Sequence, residues 1–164
     1  AAIDDPNPVM FFEHKAMYRA ITGEVADDLY MVEIGKASTV AEGDDLTIIT
    51  YGMGVHWAST IAEEMPEVSM EIVDLRSLIP WDKEAVEASV IKTGRVLILH
   101  EDTLTGGIGA ELAAWIGEHC FMHLDAPIVR VASLDTAVPF SPNLEDNFLA
   151  KARLKQKVTE LAEF

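Results

Sequence analysis

The sequence predicts an α/β domain with a largely parallel sheet covered by helices on both faces. Three observations predict it. From Gly35 onward, short β-rich runs alternate with stretches of helical period, and such alternation implies crossover connections. Between Arg95 and His100 lies a continuous apolar run, as expected of a central parallel strand covered on both faces. One helix is also marked at both ends, by Asp82 and Gly94.

With 164 residues the chain can bury one sizeable core but not two. Hydrophobic residues make up 49% and charged ones 24%, which excludes a disordered polar chain. No apolar run approaches the roughly 20 residues that cross a bilayer. Ala1 to Pro8 carry neither the basic nor the apolar stretch of a signal peptide, and read as a linker or a cut end. The single cysteine, Cys120, rules out an internal disulfide and fits a reducing compartment, with no secretion expected. Acidic residues number 28 and basic ones 12, a formal net charge of −16. A field of that sign repels nucleic acid and anionic membranes, and it either favours basic protein partners or serves solubility alone.

Pro8 to Glu13 reads as a strand, with aromatics and a β-branched residue between turn formers. Tyr18 to Met31 has no clear period and holds Gly23, Asp27 and Asp28, so it reads as a connecting segment. The globular pattern begins near Gly35. Ala37 to Val40 is a short weak strand, and beyond the turn Gly43-Asp44-Asp45, Leu46 to Tyr51 is a strong one. Val55, Ala58, Ile61, Ala62 and Met65 recur at helical spacing, and Pro66 ends that helix. Ser69 to Leu75 gives the next strand. Asp82 then stands where an N-cap belongs, Trp81 and Val86 take the two positions of a hydrophobic staple, and Gly94 closes the helix. After the central strand, Gly106 to Gly109 leads into a helix through Cys120, followed by a strand from Ala126 to Ala132 and a last helix over about Leu144 to Glu163.

Several constellations could carry chemistry. Gly52-Met53-Gly54 leaves a strong strand and opens a helix, and Asp74 ends the next strand. In dinucleotide sites such glycines let a pyrophosphate rest on a helix N-terminus while the acid holds the ribose. Trp57 stands where a third glycine is needed for close helix–strand packing, so a tight strand-to-helix turn is the plainer reading. His119, Cys120 and His123 could hold zinc if the histidines shared a helix face, but no second group of ligands completes a tetrahedron. Histidines at a helix C-terminus are favoured by the dipole alone. His100-Glu101-Asp102 stands at the carboxyl end of the central strand, before the turn Thr105-Gly106-Gly107, the edge where ligands and functional loops gather. His100 could act as a general base, yet no nucleophile motif or P-loop accompanies it, so an interface or loop-positioning role is favoured. Lys151, Arg153, Lys155 and Lys157 make the last helix locally basic; spaced by two, they read as a solvated face.

Taken in order, these residues resemble the beta subunits of thiamine-dependent 2-oxo acid dehydrogenases. Asn7-Pro8 through Phe11-Phe12-Glu13 to Tyr18-Arg19 is similar to the end of their pyrimidine-binding domain. Glu71 to Arg76, Ile79-Pro80-Trp81-Asp82 and Ser89 to Arg95 are similar to the opening of their C-terminal domain. His100-Glu101 with Thr105-Gly106-Gly107, then Cys120-Phe121 with Ala126-Pro127-Ile128 and Arg130-Val131, continue in the same order. The resemblance spans nearly the whole chain. Ile79 to Asp82, the His100-Glu101 pair and Cys120-Phe121 before Ala126-Pro127-Ile128 look like the branched-chain (2-oxoisovalerate) members, with the pyruvate members next.

The resemblance implies a transketolase C-terminal-type domain over 35–164, three layers α/β/α around a mixed, mostly parallel five-stranded sheet. Its first strand, Ala37 to Val40, would be antiparallel, and residues 1–34 would be the tail of the preceding pyrimidine-binding domain with a linker. The implied activity is oxidative decarboxylation of a 2-oxo acid with acyl transfer to a lipoyl arm. In such enzymes thiamine diphosphate and magnesium are held by the alpha part, through a Gly-Asp-Gly…Asn motif that this sequence lacks. The activating glutamate and the catalytic histidine of the beta part are expected upstream of Ala1. No catalytic residue and no metal ligand is therefore carried over, and the isolated chain is expected to be inactive. His100, Glu101, Thr105, Gly106 and Gly107 match the family only as residues near a subunit interface. Expected partners are a second copy through this domain, the alpha part, and the small basic binding domain of the acyltransferase core, which the acidic balance and the terminal carboxylate of Phe164 suit. The expected compartment is bacterial cytoplasm or mitochondrial matrix. The rival reading is a free-standing nucleotide-binding module built on Gly52, Gly54 and Asp74.

Overall fold

The strands β1 (Ser38–Ala41), β2 (Leu46–Thr50), β3 (Met70–Asp74), β4 (Val96–Thr103) and β5 (Val129–Ser133) form one sheet in the order β1-β3-β2-β4-β5. The computed structural model describes residues 1–164. β1 runs antiparallel to β3, and the other neighbours are parallel. This is the mixed five-stranded sheet that the resemblance implies. In register, Ile48 pairs with Ile72 on one side and with Leu97 on the other, so branched apolar residues fill the middle of the sheet.

The helices are α1 (Met17–Ala20), α2 (Met53–Glu64), α3 (Lys83–Thr93), α4 (Gly109–His119), α5 (Pro142–Phe148) and α6 (Lys151–Ala162). Side chains alternate across each strand, and each face of the sheet has its own core. Ala58 and Ile61 of α2 with Leu154, Val158 and Leu161 of α6 cover Ile48, Ile72, Leu97 and Leu99. Val86 and Val90 of α3 with Leu112 and Ile116 of α4 cover Ile49, Val96 and Ile98. Each fully buried side chain of this size contributes about 1.5–3 kcal/mol. Val96 through His100 are all buried, as a central strand requires.

The capping expected for α3 is present. Asp82 Oδ1 accepts from the Ala85 N–H at 3.2 Å, and its Oδ2 accepts from the Ala37 N–H at 3.0 Å. One carboxylate thus caps the helix and holds the entry to β1. Gly94 closes the helix in the left-handed region at φ 66°. Beneath α3 lies a polar seam, with Thr47 Oγ1 at 2.8 Å from both Ser89 Oγ and Thr93 Oγ1. Ser89 donates onward to Glu71, and Lys92 pairs with Glu71. A half-satisfied seam would cost more than an apolar one, so this network fixes how α3 sits.

Two expectations are corrected. Pro8 to Glu13 forms no strand, because no neighbouring strand offers it backbone partners; Phe11 and Phe12 stand 76% and 84% exposed. The last helix is two helices, broken at Leu149 and Ala150. Arg153 explains the break. Its guanidinium donates to the carbonyls of Asn147, Phe148, Leu149 and Ala132 at 2.9–3.0 Å, satisfying the open end of α5. Arg153 is therefore a structural anchor, not part of a solvated face.

Candidate functional site

The carboxyl end of β4 gathers most of the residues singled out in the sequence. β4 is central and covered, so its last residues are delivered rigidly to the edge of the sheet where loops emerge. His100 is the last fully buried residue of the strand, with 0% exposure. Its ring packs against the start of α4, where a β-carbon on Gly107 would lie 2.6 Å from Cε1 and one on Gly109 would lie 2.7 Å from Cδ2. Both glycines are required by that ring. Neither ring nitrogen has a hydrogen-bond partner within the chain. Burial, and secondarily the nearby Arg130 guanidinium, lowers the imidazole below its ordinary value, against an opposing pull from Asp102. The ring of His100 is thus closed off from solvent within the chain.

Glu101 points the other way. Its carboxylate meets His14 Nε2 at 3.0 Å, joining the N-terminal arm to the sheet across 87 positions of sequence. Sequence reasoning missed His14, because no periodicity or spacing links residues so far apart. The Glu101 carbonyl accepts from Ser133 Oγ at 2.6 Å, and Ser133 O accepts from the Leu104 N–H at 3.1 Å.

The turn that follows is bolted to the exit of β5. Thr105 donates its N–H to Asp135 Oδ1 at 2.8 Å and its hydroxyl to Oδ2 at 2.7 Å. These bonds, the backbone one first, hold the Asp135 carboxyl below its ordinary value. Arg130 Nη1 donates to the Leu104 carbonyl at 3.1 Å. Gly106 turns the chain at φ +82° in open space, a conformation that favours glycine. The structure thus brings together His100, Glu101, Thr105, Gly106 and Gly107, and adds His14, Arg130, Ser133 and Asp135. Asp135 carried no motif in the sequence. Its signal was only that polar residues after a parallel strand reach the same edge.

Phe164 does not join this group. α6 begins beside the Ala132 carbonyl, and by Lys155 it has reached Glu64 at the far end of α2, 3.0 Å away. The helix therefore carries Phe164 toward the amino edge of the sheet, where it is 68% exposed.

The other constellations divide. Gly52 and Asp74 lie at one edge, since Thr50 and Asp74 are register partners. Gly54 serves packing, because a β-carbon there would collide with Thr50 Oγ1 and touch Leu99 at 3.5 Å. Burial raises the Asp74 carboxyl above its ordinary value, opposed by the Arg76 N–H and guanidinium. His119 ends α4 and stacks on Trp115 with ring centroids 4.5 Å apart. His123 belongs to the separate 3-10 turn Phe121–His123, and Cys120 between them is buried. The two histidines therefore do not share a helical face, and no three potential ligands converge anywhere in the chain.

Comparison with known proteins agrees with this architecture. The family described as "Transketolase, C-terminal domain" matches residues 35–153. The 2-oxoisovalerate dehydrogenase subunit beta of Bacillus subtilis is 48% identical over 168 residues, covering 100% of this chain and 51% of that protein. The mitochondrial 2-oxoisovalerate dehydrogenase subunit beta 2 of Arabidopsis thaliana is 48% identical, covering 85% of this chain and 39% of that one. The pyruvate dehydrogenase E1 component subunit beta of Bacillus subtilis is 43% identical, covering 86% of this chain and 44% of that one. Among solved structures, a split-gene transketolase described as an inactive beta4 tetramer aligns with a TM-score of 0.70 and 26% identity, covering 86% of this chain and 46% of that one. The chain spans about half the length, or less, of the curated relatives it matches. With its strand order, its antiparallel first strand and a match over residues 35–153, the chain belongs to the transketolase C-terminal domain family.

Proposed function

We propose that this chain is the C-terminal assembly domain of the beta component of a branched-chain 2-oxo acid dehydrogenase. It serves oxidative decarboxylation of a 2-oxo acid, with acyl transfer to lipoyl, by organising subunit contacts and not by supplying catalytic side chains. The observation that carries this reading is the 48% identity, over 100% of the chain, to the Bacillus subtilis 2-oxoisovalerate dehydrogenase subunit beta. The geometry supports it. The loop Thr105-Gly106-Gly107 is held by hydrogen bonds from below and beside, so it presents a fixed surface to a neighbour.

Residues 1–34 are read as the tail of a pyrimidine-binding domain and a linker, with 35–164 as the domain proper. The exposed Met10, Phe11 and Phe12 are what a segment presents when it packs against chain outside these residues. Thiamine diphosphate with magnesium is not assigned to these residues, because a net charge of −16 disfavours a diphosphate. That cofactor is assigned to the alpha part and to residues upstream, so the isolated chain is inactive. The partners are a second copy of this domain, the alpha part, and the small basic binding domain of the acyltransferase core at Phe164. Similar proteins come from Bacillus subtilis and from mitochondria, and no helix here is long and apolar enough to cross a membrane. On the likeness to those relatives, we read the compartment as bacterial cytoplasm or mitochondrial matrix.

Coexpression of the complete beta gene with its alpha partner tests the reading. Decarboxylation of 2-oxoisovalerate should exceed that of pyruvate, and the 164-residue chain alone should release no carbon dioxide. Faster turnover of pyruvate would overturn the branched-chain assignment. Turnover by the isolated chain would overturn the assembly role. Isothermal titration with the small basic binding domain should give heat that falls as salt rises, and no heat at low salt counts against the docking at Phe164.

A further inference from the structure

Beyond the carboxyl end of β5 the chain runs from Leu134 to Asn147 and buries almost nothing. Every residue of that segment except Pro139 is exposed, including Leu134, Val138, Phe140 and Leu144. The phenyl ring of Phe140 stands wholly in solvent. Single exposed apolar residues are ordinary, but four of them between Leu134 and Leu144 form a patch of the kind that marks a contact. The segment is nevertheless held at both ends. Asp135 is bonded to Thr105, and the Leu134 N–H donates to the Phe148 carbonyl at 3.1 Å. The Ser141 carbonyl accepts from the N–H groups of Leu144 and Glu145 at 3.0 and 2.9 Å, and the buried ring of Phe148 ties α5 to the domain. Pro139 and Pro142 stiffen the backbone to either side of Phe140. A ring carried on a stiff, anchored loop loses little freedom on docking.

The charge around the ring narrows what could cover it. No basic residue lies between Leu134 and Ala150, and Glu145 and Asp146 have no ion-pair partner. The patch therefore calls for an apolar socket rimmed by basic side chains. A second copy is a poor fit, since two chains of net charge −16 repel one another. The small basic binding domain is assigned to Phe164, which α6 carries to the opposite edge of the sheet. The bond between Asp135 and Thr105 instead makes this segment continuous with the loop assigned above to a subunit contact.

We propose that Phe140 is the anchor by which this domain docks on the alpha part. Its ring enters an apolar socket whose rim carries Lys or Arg opposite Glu145 and Asp146. A seated aromatic ring carries much of the energy of such a contact, while the rim charges speed association and choose the partner. The inference rests on the assembly reading above and deepens it, because it names the residue that makes the contact.

The test uses the complete beta subunit coexpressed with its alpha partner, with assembly read by sedimentation at graded concentrations. Phe140→Ser should weaken assembly at least about tenfold, and Phe140→Leu should keep part of the contact. Met122→Ser, an exposed apolar change past the end of α4, should leave assembly unchanged. Glu145→Gln with Asp146→Asn should slow association at low salt and make no difference at high salt. In the unaltered complex, amide exchange in residues 136–141 should slow when the alpha part binds, and this measurement decides should Phe140→Ser fail to fold. Assembly and turnover by the unaltered pair show that the reading above holds. Full-strength assembly by Phe140→Ser, or unchanged exchange in residues 136–141, would then overturn this proposal alone. Loss of beta–beta association with the alpha contact intact would place the ring against a second copy and overturn it as well. An unaltered pair that never assembles would overturn the assembly reading and this proposal with it.

Discussion

The imidazole of His100 and the backbone of Gly107 touch so closely that a β-carbon on the glycine would lie 2.6 Å from Cε1. The same carbon would lie 2.5 Å from the Thr103 carbonyl oxygen. Neither neighbour is the free end of a flexible chain, so Gly107→Ala must displace the ring or the loop. The expected cost is about 1–3 kcal/mol of overpacking, read from the urea unfolding midpoint. An unchanged midpoint would show that the ring is not wedged.

His100 also makes stability depend on pH. Burial lowers its folded value below the ordinary 6.5, so the unfolded chain takes up a proton at a pH where the folded chain does not. Stability is therefore complete above the unfolded value and falls as pH drops from there toward the folded value. His100→Gln cannot titrate, and its stability should fall less between about pH 7.5 and about pH 5.5. Equal losses in the two proteins would place the acid sensitivity elsewhere.

Arg153 bridges four carbonyls of two elements with one planar group. Arg153→Met should cost about 2–4 kcal/mol, because charged hydrogen bonds go and acceptors are left bare. Arg153→Lys should recover less than half of that, since a single ammonium cannot span the fork. Lys151→Met, an exposed change on the same helix, should stay within about 0.5 kcal/mol. Chemical denaturation of the three variants checks the ranking.

His14 and Glu101 are only partly buried, at 31% and 37% exposure of their side chains. A pair so open to water is worth about 0.2–1 kcal/mol, and a double-mutant cycle with His14→Gln and Glu101→Gln should return a coupling in that range. Its larger effect is local. Either change should speed amide exchange in the arm around residues 11–20 while leaving the sheet untouched.

Much of this was legible in the sequence, for physical reasons that differ by element. The caps of α3 were readable because Asp82 and Gly94 act on their own helix. The covered strand ending at His100 was readable because burial on both faces leaves no polar position. Pro8 to Glu13 misled because strand propensity is local while a strand needs a neighbour, and none is present here. The break between α5 and α6 was hidden because Arg153 satisfies Ala132, a residue of another element. At the candidate site, His100 and the glycine turn were visible as a cluster in sequence. His14 and Asp135 were not, since each meets its partner only through the fold.

Hydrogen exchange on the complete beta subunit, with and without its alpha partner, tests the assembly role most directly. The account predicts new protection in residues 101–107 and in the arm around Phe11 and Phe12 when the partner binds. Unchanged exchange in both segments, in a complex that forms and turns over substrate, would contradict it.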